Sequence, residues 1–273
     1  MAKTETRMTL GEHLDELRRR LMRAVIGVCV GMIACFFLSD YLFMALLWPL
    51  SVATAGHAPT LSYLALQEGF AVYFRVCLFA GAILAAPYVL YQLWQFVAAG
   101  LYEHERRIVG RILVPSVLLF FVGTGFYMVI VAPTVVRFFL AFGETSFPAA
   151  PTWGVDFFSK WLLPGGPVDI ATQPARASVQ AQLRLTDYIE FTVMMGLVFG
   201  LAFQTPLVVI ILAKIGIVPV ATFRRIRRYV LLAIVVAAAV ISPSTDALGM
   251  IALAIPMYAL YEIGLLFARE KKA

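Results

Sequence analysis

Long segments without a charged side chain constrain this chain more than any other feature of its sequence. Ile112–Val136 and Phe191–Ala213 contain no charged residue, and each exceeds the roughly 20 residues that a helix needs to cross about 30 Å of hydrocarbon. The whole chain is 62% hydrophobic and only 14% charged, whereas soluble domains average about 45–50% and about 25%. These values predict that much of the surface faces lipid.

The remaining apolar segments are less regular. Ala24–Ser39 begins a first span that we expect to continue to about Leu47, and Phe70–Ala99 is a second span broken by one arginine. The last apolar region is interrupted by Ser242-Pro243-Ser244-Thr245-Asp246, a turn sequence that cannot continue a helix in lipid. It therefore predicts two short spans of about 15–20 residues each. The result is an all-α integral membrane protein with six transmembrane helices.

Lysine and arginine are distributed unevenly between the segments that connect the spans. One alternating set contains most of them: Lys3, Arg7, Arg18, Arg19, Arg20, Arg23, Arg106, Arg107, Arg111, Lys214, Arg224, Arg225, Arg227, Arg228, Arg269, Lys271 and Lys272. The opposite set contains only Lys160, Arg176 and Arg184. Because basic residues favour the cytoplasmic side, both termini are predicted to be cytoplasmic.

This orientation divides the chain into an amphipathic N-terminal helix at 1–22, a transmembrane domain at 23–268 and a cytoplasmic tail at 269–273. Outer loops are expected at about 48–69 and 141–186, and cytoplasmic loops at about 100–111 and 214–228. The longer outer loop is rich in proline and glycine, so it is expected to be largely irregular.

The N-terminal segment has the pattern of a short amphipathic helix. Thr9-Leu10-Gly11-Glu12 matches a capping box, and leucines follow at helical spacing. The polar face carries Glu12, Glu16 and Arg20 at four-residue intervals. Two interpretations remain open, namely a binding surface or a solvated face whose ion pairs contribute a few tenths of a kcal/mol.

A second charged cluster, Leu101-Tyr102-Glu103-His104-Glu105-Arg106-Arg107, lies between the second and third spans. Loop charges usually reflect solvation and topology, but the acidic residues here add little to orientation. Acids near both cytoplasmic clusters could together bind a cationic ligand.

These two clusters resemble the signatures of the TatC family of protein translocase subunits. The N-terminal signature is similar to His13-Leu14-x-Glu16-Leu17-Arg18, and the first-loop signature to Leu101-Tyr102-x-His104-Glu105-Arg106-Arg107. Further similarities cover nearly the whole chain outside about 146–181: Pro49, Ala86-Pro87, Gln92-x-Trp94-x-Phe96, Phe120 to Pro133, Ser242-Pro243-x-x-Asp246 and Ile255-Pro256-Met257-x-x-x-Tyr261-Glu262.

The resemblance implies a receptor for signal peptides that bear two consecutive arginines. It implies single-span TatA- and TatB-type partners, export of folded proteins driven by the protonmotive force, and a place in the bacterial cytoplasmic (inner) membrane. Glu16 and Glu105 take the positions that recognise the two arginines, with Arg18, Phe96 and His104 beside them. Two carboxylates suit two guanidinium groups, since such pairs form charge-assisted and often bidentate hydrogen bonds.

The resemblance also assigns a second group of residues, Gln204, Asp246 and Pro49, to partner contact and translocation. Gln204 stands where many family members have glutamate, so the charge is lost while hydrogen bonding is kept. We expect its amide to bond a partner's transmembrane helix, or, as an equal alternative, a group within the chain. Self-association is a further expectation.

The main rival class is a polytopic secondary transporter or channel for a small solute. Such proteins usually carry ionisable residues near mid-span and often an internal repeat, and neither is evident in the sequence. Enzyme motifs, metal-ligand spacing and cofactor fingerprints are also lacking. The basic residues occur in short clusters, which does not favour nucleic-acid binding.

Overall fold

The computed structural model describes residues 10–54, 61–62, 65–100, 103–144, 183–216, 218–241 and 247–268, and nearly all of them are helical. The helices are α1 (Leu10–Phe37), α2 (Ser39–Ala53), α3 (Glu68–Ala99), α4 (Glu103–Phe126), α5 (Ala132–Glu144), α6 (Leu185–Ala202), α7 (Thr205–Ile215), α8 (Val220–Arg225), α9 (Arg227–Ile241) and α10 (Ala247–Phe267). A π-helical turn, Tyr127–Val131, joins α4 to α5, and two short strands, β1 (Leu61–Ser62) and β2 (Leu183–Arg184), pair in parallel.

Three helical segments in the described part of the chain are long and apolar enough to cross a membrane. They are Gly11–Phe37, Gly110–Leu140 and Leu185–Ile215. α3 adds a fourth if its two legs, which are inclined by 53°, form one span. α9 has 15 residues, in agreement with a predicted short span, whereas the 21 residues of α10 slightly exceed the predicted range.

Prolines explain the irregularities of the long helices. The two legs of α3 meet just before Pro87, because proline lacks the N–H that bonds the preceding turn and its ring collides with that turn. The π-helical turn ends just before Pro133, where a wider turn accommodates the same missing donor. Pro206 stands in the first turn of α7, where no N–H is needed.

Two helix ends lie where the sequence did not indicate them. The first apolar segment does not continue unbroken to Leu47, because the chain breaks at Leu38 and α2 begins with Asp40 in its first turn. An acidic side chain there stabilises a new helix N-terminus. The predicted loop at 100–111 is mostly helical, since α4 begins at Glu103; the charges of this segment belong to the start of a helix.

α1 and α3 pack in an antiparallel arrangement along much of their length. His13 contacts Phe96 near one end, and the Tyr73 hydroxyl donates to the carbonyl of Phe36 near the other. Glycine makes the close approach possible, because a Cβ on Gly81 would lie 2.4 Å from the backbone nitrogen of Met32. The outward side of α1 leaves Val25, Val30 and other large apolar residues exposed, as a lipid-facing surface requires.

Polar contacts tie the opposite end of α3 to α6. Arg75 forms an ion pair with Glu190 at 2.7 Å, and the buried carboxylate of Glu68 accepts a hydrogen bond from Thr186. The two strands β1 and β2 lie at this same end. The charged first turns of α1, and the end of α3 that they contact, therefore lie at the far side of the bundle from these contacts.

Candidate functional site

The candidate site lies where the first turns of α1 meet the last turns of α3. The imidazole of His13 stacks on the ring of Phe96, with centroids 4.5 Å apart and planes inclined by 25°. Gly100 follows α3 directly, and a Cβ at that position would lie 3.5 Å from Cε1 of His13. These contacts fix the charged part of α1, which precedes the apolar stretch beginning at Ala24, against α3.

Glu16 lies one turn after His13, and its carboxylate is already paired within the chain. Nε of Arg20 donates to Oε1 at 2.7 Å, and Nη2 of Arg19 lies 3.2 Å from Oε2. The hydrogen bond from Arg20 holds the pKa of Glu16 below its usual value, because a donor to the charged form favours that form. Ion pairs at helical spacing are therefore present on this face.

Arg20 also contacts α3. Its Nη1 donates to Oε1 of Gln92 at 3.3 Å, across 72 residues of sequence. Gln92 is only 4% exposed, whereas the side chains of Glu16 and Arg20 are 16% and 18% exposed. The charged pair therefore lies at the edge of the α1–α3 contact, partly shielded from solvent.

Arg18 points to a different face of α1. It is exposed and lines a shallow depression together with Asp15, Arg19, Met22 and Arg23. Of the predicted site residues, the structure brings Phe96 beside the part of α1 that carries Glu16, while Arg18 lies on the outward side.

Glu105 and His104 lie in the first turn of α4, and their side chains fall outside the described part of the structure. The backbone path still limits where they are. Glu105 is five residues from Gly100, which bounds their separation at about 18 Å. Gly100 in turn lies beside His13, so the chain requires the start of α4 to stay near the Glu16 end of α1.

Gln204 belongs to a buried polar network elsewhere in the bundle. Ser116 donates from Oγ to Oε1 of Gln204 at 2.6 Å, and the amide nitrogen donates to the Ser116 carbonyl at 2.9 Å. Trp94 Nε1 donates to Ser116 Oγ at 2.8 Å. The amide thus has partners within the chain, which is the intramolecular alternative stated from the sequence.

Of the other two residues predicted to act in translocation, the structure describes Pro49 but not Asp246. Pro49 lies inside α2 and is fully buried among the residues that pack on α3 and α6. This is a packing position rather than a loop position. Asp246 lies outside the described residues, as does the turn that the sequence predicts around it.

Sequence reasoning gave no role to Gln92, Trp94 or Ser116. Gln92 and Trp94 were visible as part of an aromatic and amide motif, but Ser116 carried no signal. Within the described residues no group of three or more His, Cys, Asp or Glu could hold a metal ion, and Cys29, Cys35 and Cys77 are free thiols.

Comparison with known proteins adds a family. The family model described as Sec-independent protein translocase protein (TatC) matches residues 12–256. The TatC protein of Desulforapulum autotrophicum is 33% identical over 98% of this chain and 87% of its own length. The TatC protein of Escherichia coli K12 is 30% identical over 94% of this chain and 86% of its own length.

Two crystal structures of the twin arginine translocase receptor TatC are similar in fold. One has a TM-score of 0.71 at 28% identity, covering 94% of this chain and 98% of that one. The other, determined in the detergent DDM, has a TM-score of 0.74 at 29% identity, covering 94% of this chain and all of that one. The helical bundle described above is therefore an arrangement already seen in that receptor.

Proposed function

Because the chain belongs to the TatC family of Sec-independent protein translocase proteins, we propose that it is the receptor subunit of a twin-arginine translocase. It binds twin-arginine signal peptides on its cytoplasmic side. With TatA- and TatB-type single-span partners it exports folded proteins across the bacterial inner membrane, driven by the protonmotive force. It acts by binding and assembly and not as an enzyme.

One observation carries this proposal, namely a carboxylate that holds two guanidinium groups at the charged end of α1. Glu16 has one arginine at each of its oxygens, at 2.7 and 3.2 Å. This geometry supports a site that can hold arginine side chains, since guanidinium groups match carboxylates in charge and shape. The stacked rings of His13 and Phe96 form an aromatic surface one turn before this carboxylate.

Glu105 provides the second carboxylate of the proposed site. The chain length between Gly100 and Glu105 keeps the start of α4 close to His13, which supports a shared site with Glu16. Two carboxylates on separate helices can each bind one arginine of a consecutive pair. We assign Phe96 of α3 and His104 of α4 to the same site, and Arg18 extends the charged surface on the outward face of α1.

We also propose six spans with both termini in the cytoplasm. α1, the two legs of α3, and α4 with α5 supply three spans, and α6 with α7, α9 and α10 supply the others. Basic residues at the start of α1, in α8 and at the start of α9 support the orientation. The test is to fuse each terminus to a reporter that is active only outside the cytoplasm. Activity of that reporter at either terminus would contradict this topology.

The direct test is a binding titration of the purified, detergent-solubilised protein with a twin-arginine signal peptide and a twin-lysine peptide. Each charged hydrogen bond contributes about 1.5–3 kcal/mol where water is partly excluded. Glu16→Ala and Glu105→Ala should therefore each weaken twin-arginine binding roughly tenfold to a hundredfold, and more so at low salt.

Asp15→Ala is the matched control, because it removes an exposed acid from the same turns of α1 on the outward face. It should bind nearly as well as the wild type. Wild-type affinity in both Glu16→Ala and Glu105→Ala, or equal affinity for the two peptides, would contradict the assigned site.

A further inference from the structure

We propose that Arg20 is an internal competitor for the arginine site. Its guanidinium occupies the Glu16 carboxylate in the free protein and yields it to a guanidinium of the bound peptide. This inference rests on the proposed function, because it takes Glu16 as a ligand-binding carboxylate. It adds a residue that sets how strongly a cationic ligand binds.

The arrangement at Glu16 imitates the ligand. Arg19 and Arg20 are consecutive, as the two arginines of the peptide are. Both Nε and Nη2 of Arg20 lie 2.7 Å from Oε1, while Arg19 Nη2 lies 3.2 Å from Oε2. Each carboxylate oxygen therefore already faces a guanidinium, so an incoming arginine must displace one of them or share an oxygen with it.

Arg20 is the more important of the two competitors. Its side chain is 18% exposed, against 67% for Arg19, so its ion pair is less screened by water. Arg19 lies farther from the carboxylate and on the outward face of α1. A peptide guanidinium can displace Arg19 at small cost, whereas it must compete with Arg20.

Gln92 allows the exchange to occur without leaving Arg20 unpaired. Its Oε1 already accepts from Nη1 of Arg20 at 3.3 Å, and it lies on the neighbouring helix, in a buried position. When a ligand takes Glu16, Arg20 keeps this acceptor and gains water at the open edge of the contact. A charged group that retains a hydrogen-bond partner avoids most of the penalty of an unpaired one.

The competitor lowers the affinity of every cationic ligand by the same factor, because the free energy of displacing Arg20 does not depend on what replaces it. Discrimination between arginine and lysine comes from the carboxylate itself. A peptide guanidinium offers the same planar fork as Arg20 and can replace it donor for donor, whereas an ammonium is a point charge that cannot.

The test compares substitutions at Arg20 with the same substitutions at Arg23, in the full-length protein in detergent. Arg23 is exposed on the same helix, and among the described contacts it forms no ion pair with Glu16. Arg20→Lys and Arg23→Lys keep the charge; Arg20→Gln and Arg23→Gln remove it. The peptides are the twin-arginine and twin-lysine signal peptides, and size-exclusion chromatography verifies that each variant is folded.

We expect Arg20→Lys to raise twin-arginine affinity about two- to fivefold, the range that corresponds to losing one partly exposed ion pair. Arg20→Gln should raise it at least as much, and each variant should raise twin-lysine affinity by the same factor as twin-arginine affinity. The Arg23 variants should change neither affinity by more than their effect on overall charge, and Arg23→Lys not at all.

Two results would overturn the inference, and they are distinguishable. Unchanged or weaker binding in both Arg20 variants, with Glu16→Ala still impaired, would make Arg20 a support for Glu16 and leave the proposed receptor site standing. Wild-type binding in Glu16→Ala would remove the receptor site itself, and the competitor with it.

Discussion

Two of the polar contacts that join α3 to neighbouring helices differ in charge and in burial. In the first turns of α1, Arg20 donates a hydrogen bond to Gln92 of α3 and forms an ion pair with Glu16. Both charged side chains are partly exposed to solvent. Two residues further along α3, Trp94 donates a hydrogen bond to the hydroxyl of Ser116 in α4, and that hydroxyl donates to Gln204. This second network is neutral and buried. The first contact has donors and acceptors that can exchange partners, whereas every bond of the second is enclosed.

The difference indicates a division of labour along one helix. A neutral network with satisfied donors and acceptors fixes the relative positions of α3, α4 and the break between α6 and α7. A charged cluster at a solvated edge can release one guanidinium and accept another, since water stabilises the intermediate arrangements. The predictions below test whether the two contacts differ in this way.

The largest effect is expected for Ser116→Ala. The change removes the hydroxyl that Trp94 donates to and that donates to Gln204, leaving two buried groups without this partner. The free energy of unfolding should fall by about 1–3 kcal/mol. Thermal unfolding in detergent measures the loss, and Ser51→Ala is the control, since the Ser51 hydroxyl is exposed and bonds only its own helix. Equal shifts in the two variants would contradict the structural role of the network.

A double-mutant cycle between Ser116→Ala and Gln204→Leu tests whether the network acts as a unit. Ser116 Oγ donates to the side-chain oxygen of Gln204. Either substitution removes this bond, so the double variant should lose less stability than the sum of the single ones. The expected coupling is about 0.6–2 kcal/mol, as for interhelical bonds in membranes. Strict additivity would show that Gln204 is stabilised by something other than Ser116.

Phe96→Leu tests the aromatic stacking between α3 and the charged first turns of α1. The variant keeps an apolar side chain but loses the stacking on His13, which should cost about 0.5–1.5 kcal/mol. Signal-peptide affinity should fall together with stability if the ring also contacts the ligand. Phe37→Leu is the control, because Phe37 is 85% exposed. A loss of the same size at Phe37 would assign the effect to general hydrophobicity.

The smallest effect on stability is expected for Glu16→Gln, and it should depend on pH. Arg20 lowers the pKa of Glu16 in the folded protein below the ordinary value of 4.5. The ionised carboxylate therefore stabilises the folded protein above pH 4.5. This stabilisation is lost as the pH falls through the lower pKa of the folded protein. The contribution should be about 0.2–1 kcal/mol. Wild type and Glu16→Gln should therefore differ at pH 7 and converge in acid. A difference that stays constant or grows as the pH falls well below the folded pKa of Glu16 would contradict this pair.

The sequence predicted the helical membrane fold, and the match over residues 12–256 together with the solved receptor structures confirms the family. Charge-free segments and proline positions were sufficient for this, because lipid permits few arrangements of an apolar backbone. The break at Leu38 and the early start of α4 were missed, since neither contains a proline or glycine. The assignment of Glu105 to the site remains a prediction.

What the sequence determined by itself is the long apolar helical segments and the ion pair of Glu16 with Arg20. A four-residue spacing on a helix brings two side chains together without help from the rest of the chain. The tertiary structure decided the contacts that cross from helix to helix: His13 with Phe96, Arg20 with Gln92 and Ser116 with Gln204. The last two join residues 72 and 88 positions apart. Their partners depend on the rotation and depth at which the helices pack, and close contacts such as that of Gly81 with Met32 set both.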